Sequence, residues 1–286
     1  SRIGWCKAFK TLLSMLYTGD VPQIDYSKVR EKGAPLKTFG GRASGSGPLQ
    51  ELFEFTIKTF RKSAGHKLSS ESLHDLATMC GQVTIAGSVR RSAEISLGDQ
   101  GDDRHRRLKT GEWYLMNGHR AMANNSAVFQ GRPDLPDLMG EMHSLFLSYS
   151  GERGIFNREA AQKKAAKVGR DPDVDYICNP CAEILLDPDG GLCNLSEVVI
   201  RPNDKLEDGP NGELGLLSKV RLATIYGTMQ SSLVNFRFLR KQWSNNASRL
   251  RLLGVSLTGI CDHPILNGRK GEKLLAEWLT TMREEA

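Results

Sequence analysis

Residues 178–195 read CNPCAEILLDPDGGLCNL, a stretch that holds three of the chain's six cysteines. If the segment is extended, the side chains of Asn179, Cys181 and Glu183 share one face, because side chains two positions apart point the same way along a strand. An amide, a thiol and a carboxylate on one face are suited to holding a hydroxylated substrate and transferring a hydrogen atom or a proton on it. Cys193 comes twelve residues after Cys181, beyond a turn-forming stretch at 187–191. A hairpin-like return is expected to bring its sulfur towards the same substrate.

Two other chemistries fit these cysteines. Cys178 and Cys181 form a C-x-x-C pair, which could be half of a zinc site with Cys193 as a third ligand. Against zinc, no further Cys or His lies within fifty residues of the segment except His143. A thioredoxin-like dithiol is the second alternative, although Pro180 interrupts the pair and a strand rather than a helix is predicted to follow. The residues alone leave both alternatives open.

Composition indicates a soluble globular protein. The 286 residues suffice for one large domain or two small ones, with 39% apolar and 25% charged residues. No apolar run approaches the roughly 18 residues of a membrane span, and the low cysteine content favours a reducing, cytoplasmic location. Membrane, secreted and fibrous classes are therefore excluded. The net charge of +6 and the pI of about 9.0 suit an anionic ligand such as a nucleotide and are too mild to indicate DNA binding.

Hydrophobic periodicity predicts alternating helices and strands. Helices are predicted over 2–17, 48–60, 69–85, 135–149, 158–168, 214–243 (one helix or two joined helices) and 271–283. Strands are predicted over 92–97, 126–129, 183–186, 195–200 and 254–258. This alternation indicates an α/β sheet or barrel. The basic run at 104–109 is predicted to be a solvated loop.

A series of short motifs lies in order along nearly the whole chain. They are GAPLKTFGGRASG at 33–45, GSVRRSAEI at 87–95, NNS at 124–126, GERGIFN at 151–157, NPCAEI at 179–184, GLCNL at 191–195 and RLLGVSLTGI at 251–260. Together they resemble the large chains of ribonucleotide reductases, and most closely the class II, cobalamin-dependent enzymes. The form of residues 90–94, RRSAE, is most similar to the monomeric ribonucleoside-triphosphate reductase branch.

The resemblance implies a fold and a reaction. Residues 1–286 would be part of the ten-stranded α/β barrel, with a central finger loop. The protein would reduce ribonucleoside triphosphates to 2′-deoxyribonucleoside triphosphates through a cysteine thiyl radical. Cys181 would take the 3′ hydrogen of the ribose, Glu183 would remove the 3′ hydroxyl proton, and Asn179 would orient the ribose hydroxyls. Cys193 would be one of two reducing thiols that become a disulfide.

The resemblance also implies a cofactor and partners. The radical would come from adenosylcobalamin, and a thioredoxin-like dithiol would reset the disulfide. Arg90, Arg91 and Ser92 match the family's loop between substrate and effector sites, which implies contact with the substrate or with a deoxynucleotide effector. The Gly-rich stretch 40–47 could cradle phosphate. No resident metal ion, nucleic-acid partner or membrane partner is expected.

The family pattern is incomplete in this sequence. In the family, the second reducing cysteine lies upstream of this region, and the phosphate loop and a C-terminal dithiol lie downstream. The chain is therefore expected to be an internal fragment that is inactive alone. Cys6 and Cys80 lie in the wrong order to supply the missing thiol and are predicted to be buried structural residues.

Two other functions remain as alternatives. One is a class I reductase large chain, which receives its radical from a partner metal subunit. The other belongs to a different class, a redox-inert module that binds nucleotides without turnover.

Overall fold

The structure, a computed structural model, describes residues 2–36, 41–85, 93–237 and 239–286. The chain divides into two units, residues 1–185 and 186–286. Two apolar clusters belong to the first unit and one belongs to the second. Each unit therefore has apolar packing of its own.

The first unit opens with three helices that pack together. They are α1 (Arg2–Tyr17), α2 (Gly47–Lys62) and α3 (Ser70–Ile85), as the periodicity predicts. Pro48 lies in the first turn of α2, where its missing N–H costs no hydrogen bond. The buried apolar side chains between these helices are Leu12, Leu49, Leu52, Phe53 and Met79.

A parallel three-stranded sheet follows, in the order β1, β2, β3. Its strands are β1 (Glu94–Asp99), β2 (Ala123–Phe129) and β3 (Gly154–Asn157). The connecting helices are α4 (Asp103–Arg106) and α5 (Trp113–Met116) before β2, and α6 (Leu135–Ser148) before β3. Parallel strands joined through helices confirm the predicted α/β class.

A second apolar cluster lies in the C-terminal part of this unit. Helix α7 (Arg158–Ala166) follows β3 and buries Ala161 and Ala165 in a cluster with Val128, Phe156 and Tyr176. Two short strands, β4 (Ile177–Cys178) and β5 (Leu185–Leu186), then pair with each other. Their pairing closes the loop 179–184 at its base.

The second unit is built on another parallel pair. Strands β6 (Cys193–Val199) and β7 (Leu252–Thr258) pair from Cys193 opposite Leu252 to Val199 opposite Thr258. Its helices are α8 (Leu216–Ser231), α9 (Lys241–Leu250) and α10 (Glu272–Glu285). The buried side chains are Val198, Ile200, Leu216, Val220, Leu266 and Met282. None of the described helices is long and apolar enough to cross a lipid bilayer.

The predicted helix over 214–243 is interrupted. Helix α8 ends at Ser231, the described residues from 232 to 240 are not helical, and α9 continues beyond Trp243 to Leu250. The hydroxyls of Ser231 and Ser232 donate to carbonyls three residues earlier, at 2.7 and 2.6 Å. Such local bonds compete with helix continuation and end α8 there.

The prediction of a solvated loop at 104–109 is wrong. Residues 103–106 form α4, and His105, Leu108 and Lys109 are buried. Their burial is possible because neighbouring carboxylates and carbonyls satisfy the charged groups. Lys109, for example, pairs with Glu152 at 2.9 Å.

Three further predictions need correction. The strand at 183–186 shrinks to Leu185–Leu186, because residues 180–182 turn. Cys6 is exposed rather than buried, and Cys80 is half-buried. Burial of the Cys80 thiol raises its pKa to about 11, which leaves it uncharged at neutral pH.

Candidate functional site

The loop 179–184 is a tight turn. The Ala182 N–H donates to the Asn179 carbonyl at 2.9 Å, and the φ of Ala182 is 64°. Pro180 occupies the second position of this turn, which suits its fixed φ and its lack of an N–H. The expectation of an extended segment with residues 179, 181 and 183 on one face is therefore wrong for the backbone.

Asn179 and Glu183 nevertheless come together, through the turn rather than through a strand. The Asn179 Nδ2 donates to Glu183 Oε1 at 2.6 Å. The Asn179 Oδ1 accepts from the Ile184 N–H at 3.0 Å, and the Asn179 N–H donates to the Ile184 carbonyl at 3.3 Å. Between them Cys181 is exposed. The turn thus presents an exposed cysteine two positions before a carboxylate whose position an amide fixes.

The two cysteines of the C-x-x-C pair lie in different environments. Cys178 is buried in the apolar cluster with Phe156 and Tyr176. Burial raises the pKa of its thiol, and the negative charge of Glu183 raises it further. A redox-active dithiol needs an accessible thiol with a lowered pKa, so Cys178 does not suit that role. Among the described residues, no group of three or more His, Cys, Asp or Glu side chains is arranged to hold a metal ion.

One hydrogen bond connects this loop to the parallel sheet. The Asn124 Nδ2, on β2, donates to the Pro180 carbonyl at 2.6 Å. Asn124 is also the only exposed residue of β2. Sequence reasoning placed residues 124–126 in a family motif without assigning them a contact.

Cys193 belongs to the second unit, where it begins β6 and is half-buried. The preceding turn is real, with the Gly190 N–H donating to the Asp187 carbonyl at 3.3 Å. Gly190 has a φ of 116° and lies against Trp243, where an added Cβ would lie 2.8 Å from the ring. The approach of Cys193 to the substrate of Cys181 stays a prediction.

Arg90, Arg91 and Ser92 lie outside the described residues, as does Gly40 at the start of the Gly-rich stretch. The assignment of Arg90, Arg91 and Ser92 to substrate or effector contact therefore stays a prediction.

Sequence reasoning missed two buried ion pairs in the first unit. Arg120 binds Asp75 through Nε and Nη2, at 2.6 and 2.7 Å. Burial alone would raise the pKa of Asp75, but polar contacts with His119, His74 and Arg120 hold it well below its usual range. A comparable pair joins Arg153 Nη2 to Glu141 at 2.5 Å. Only charged residues in the middle of otherwise apolar stretches could have indicated these pairs from sequence.

Comparisons with known proteins give these features a family. The chain is 31% identical over 274 residues to the adenosylcobalamin-dependent ribonucleoside-triphosphate reductase of Lacticaseibacillus paracasei. The aligned region covers 92% of this chain and 34% of that protein. An enzyme of the same name from Euglena gracilis is 33% identical over 216 residues, covering 72% of this chain and 28% of that protein. The chain also resembles a crystal structure of a B12-dependent (class II) ribonucleotide reductase, with a TM-score of 0.58 and 26% identity over 81% of this chain and 30% of that one. The chain belongs to the class II ribonucleotide reductase family.

No protein-family model matches the chain. The chain spans about a third of the length of the curated class II relatives that it matches.

The class II motifs fall on the sheet strands and on the candidate loop. NNS lies within β2, GERGIFN ends on β3, GLCNL enters β6 and RLLGVSLTGI contains β7. NPCAEI forms the turn that carries Cys181. Most of GSVRRSAEI lies outside the described residues.

Proposed function

We propose that the protein carrying this sequence reduces ribonucleoside triphosphates to 2′-deoxyribonucleoside triphosphates. Its residues 1–286 would supply part of the α/β catalytic barrel. The observation that supports this proposal is the turn at 179–184, which carries an exposed Cys181 between Asn179 and Glu183, two residues that are bonded to each other. Family membership supplies the reaction, and the turn supplies groups suited to it.

The residues divide the work as follows. The Cys181 sulfur radical takes the hydrogen atom from C3′ of the ribose, so that an S–H bond forms and a C–H bond breaks. Glu183 accepts the proton of the 3′ hydroxyl as general base. Asn179 fixes the Glu183 carboxylate through its 2.6 Å hydrogen bond and leaves Oε2 to face the ribose. An S–H bond suits this exchange because it is weak enough to break and form reversibly.

The reduction at C2′ takes its electrons and protons from a pair of thiols. The 2′ hydroxyl leaves as water, and two thiols supply two electrons and two protons and become a disulfide. Cys193 is proposed as one of these thiols. Cys181 then returns its hydrogen atom to C3′. A thioredoxin-like dithiol reduces the disulfide for the next turnover.

The cofactor proposed for this reaction is adenosylcobalamin. When bound, it supplies an organic radical by homolysis of its cobalt–carbon bond. The chain fits this group in one respect: the Cys181 thiol is exposed on a turn and is open to a group outside the chain. Cys181 is therefore the residue that would meet it, and no other contact is assigned.

The nucleotide contacts and the cellular location are also proposals. Arg90, Arg91 and Ser92 are proposed to contact the substrate or a deoxynucleotide effector, since a guanidinium can bond a base or a phosphate. A cytoplasmic location is proposed, because deoxynucleotide synthesis with a dithiol reductant needs a reducing compartment.

Two cysteine variants of the protein that carries this sequence test the proposal. Cys181→Ser should abolish both deoxynucleotide formation and the release of tritium from 3′-labelled substrate, because an O–H bond is far harder to break homolytically. Cys193→Ser should block deoxynucleotide formation but retain tritium release, with loss of base from the substrate. The assay follows tritium, free base and deoxynucleotide together.

The parent and the Cys6→Ser variant serve as controls, since Cys6 is exposed and has no proposed role. Tritium release by Cys181→Ser would contradict the radical assignment. Full activity without cobalamin but with a metal-containing partner subunit would instead favour the class I alternative. Nucleotide binding without any reduction would favour the inert module.

A further inference from the structure

The central strand of the sheet exposes a single side chain. Along β2 every residue is buried except Asn124. Its neighbours Ala123 and Asn125 are 1% and 4% exposed. Asn124 uses its amide to donate to the Pro180 carbonyl at 2.6 Å, across 56 positions of sequence. A polar side chain at this position is not needed by the sheet itself, whose ladder is made by backbone groups.

The hydrogen bonds of the loop explain why this contact matters. Among the residues that the structure describes, the other hydrogen bonds of loop 179–184 join it to itself and all involve Asn179. The loop is therefore fixed internally. Its hydrogen bond to the sheet is the one made by Asn124. That bond holds the carbonyl of the residue directly before Cys181 and so restrains the peptide plane from which Cys181 projects.

The sheet is itself fixed at the same point. The Asn125 N–H donates to Glu152 Oε2 at 2.9 Å, and both carboxylate oxygens of Glu152 accept from Lys109 Nζ at 2.9 Å. The side chain of Asn125 is held as well, because its Oδ1 lies 3.1 Å from Nε2 of the buried His74. The support behind Asn124 is thus buried and charge-assisted, which makes it rigid.

We propose that Asn124 is a positioning residue that holds the Cys181 turn at a fixed place on the sheet. The proposal rests on the proposed function for its role in the reaction, but the contact itself is tested independently. Radical transfer depends on a near-attack distance, so a small displacement of the turn costs rate without changing which groups react.

Hydrogen exchange of the full 286-residue chain tests the contact. In Asn124→Ala, the amides of Asn179, Ala182 and Ile184 should exchange about three- to tenfold faster, the effect of losing one ordinary hydrogen bond. Amides of the β2–β3 ladder should change by less than about twofold. Asn124→Asp keeps the shape but loses the donor, and should loosen the turn at least as much.

The matched control is Asn211→Ala, an exposed asparagine bonded only locally, to Glu213. It should leave the 179–184 turn unchanged. Unchanged exchange of the turn in both Asn124 variants would overturn the proposal. An equal increase through the whole sheet would also overturn it, since that is the result for a residue that only stabilises the fold.

The role in the reaction is tested in the protein that carries this sequence. Asn124→Ala should slow 3′-tritium release about tenfold while leaving the dissociation constant of the ribonucleoside triphosphate within about twofold. Faster exchange with unchanged tritium release would overturn the role in catalysis. If the parent itself releases no tritium, the proposed function fails, and the exchange experiment still decides whether Asn124 holds the turn.

Discussion

At the residue scale, Gly98 and His105 show how closely this protein packs polar groups. Arg153 Nη1 lies 2.7 Å from His105 Nδ1, and Ser96 Oγ lies 2.8 Å from Nε2. Because a guanidinium can only donate, Nδ1 accepts and the ring is the neutral Nε2–H tautomer. The ring approaches β1 at Gly98, where an added Cβ would lie 2.3 Å from Nδ1. Only a glycine leaves room for the ring.

We predict that Gly98→Ala destabilises the first unit by about 1 to 3 kcal/mol, the usual cost of forcing extra volume into a packed site. The ring cannot give way, because both its nitrogens are held by neighbours. Urea unfolding followed by circular dichroism measures the change. Gly101→Ala is the control, since a Cβ there meets nothing within 4 Å. Equal stability of the two variants would contradict the packing described for His105.

At the element scale, α6 presents its apolar side chains to solvent. Its buried residues are polar: Glu141, Ser144 and Ser148. Exposed apolar side chains recur every three or four residues along it, at Leu135, Met139, Met142 and Phe146, with Tyr149 next after the helix, and Leu147 is exposed beside them. The helix is held to its own unit by charge, because Glu141 binds both Arg106 and Arg153.

We predict that the stability of the first unit depends on the polar face of α6 and not on its apolar face. Glu141→Gln should cost about 3 kcal/mol, since it leaves the buried Arg153 without its counter-charge and leaves Arg106 with Asp103 alone. Phe146→Ser should change stability by less than about 0.5 kcal/mol, because Phe146 is 72% exposed. Urea midpoints of the two variants against the parent provide the measurement. A larger loss for Phe146→Ser would show that its ring is buried in solution.

At the scale of the whole molecule, the buried groups set the dependence of stability on pH. Burial, and after it the positive charge of Arg153, lower the pKa of His105 to about 4. Below its unfolded pKa of about 6.5, the unfolded chain binds a proton that the folded chain refuses. The contribution of His105 to the free energy of unfolding is therefore fully present above about pH 6.5 and is lost as the pH drops towards 4.

We predict a loss on the order of 3 kcal/mol in the first unit between pH 6.5 and pH 4, from the linkage of one such histidine. Protection of β1–β3 amides from hydrogen exchange, corrected for intrinsic rates, measures it. His105→Gln should flatten this part of the profile, whatever its stability at neutral pH. The carboxylates of Asp75 and Glu141 have lowered pKa values, so their contribution is lost only below their ordinary pKa values of 3.8 and 4.5, at the acid end of this window and beyond it. If the pH dependence of stability between 6.5 and 4 is unchanged in His105→Gln, a group other than His105 causes it.

Local patterns in the sequence determined most of the secondary structure and the family. The helices at 2–17 and 70–85 and the strand at 252–258 follow from apolar periodicity within each segment, which needs no distant partner. The motifs around Cys181 and Cys193 predicted a ribonucleotide reductase, and the other ordered motifs, such as those at 33–45 and 87–95, predicted the class II family that the comparisons show. Both kinds of signal are local, and so they are readable from the sequence.

The tertiary structure decided what the polar groups do. The basic run at 104–109 reads as solvated, but distant carboxylates pair with two of its charges: Glu152 lies 43 positions from the buried Lys109, and Glu141 lies 35 from the half-buried Arg106. The turn at Cys181 is attached to the sheet by Asn124, 56 positions from its partner Pro180. A charge or an amide gains its energy from whichever partner folding brings within about 3 Å. Nothing in the neighbouring sequence specifies that partner, so the contacts that fix the candidate site emerge only when the chain has folded.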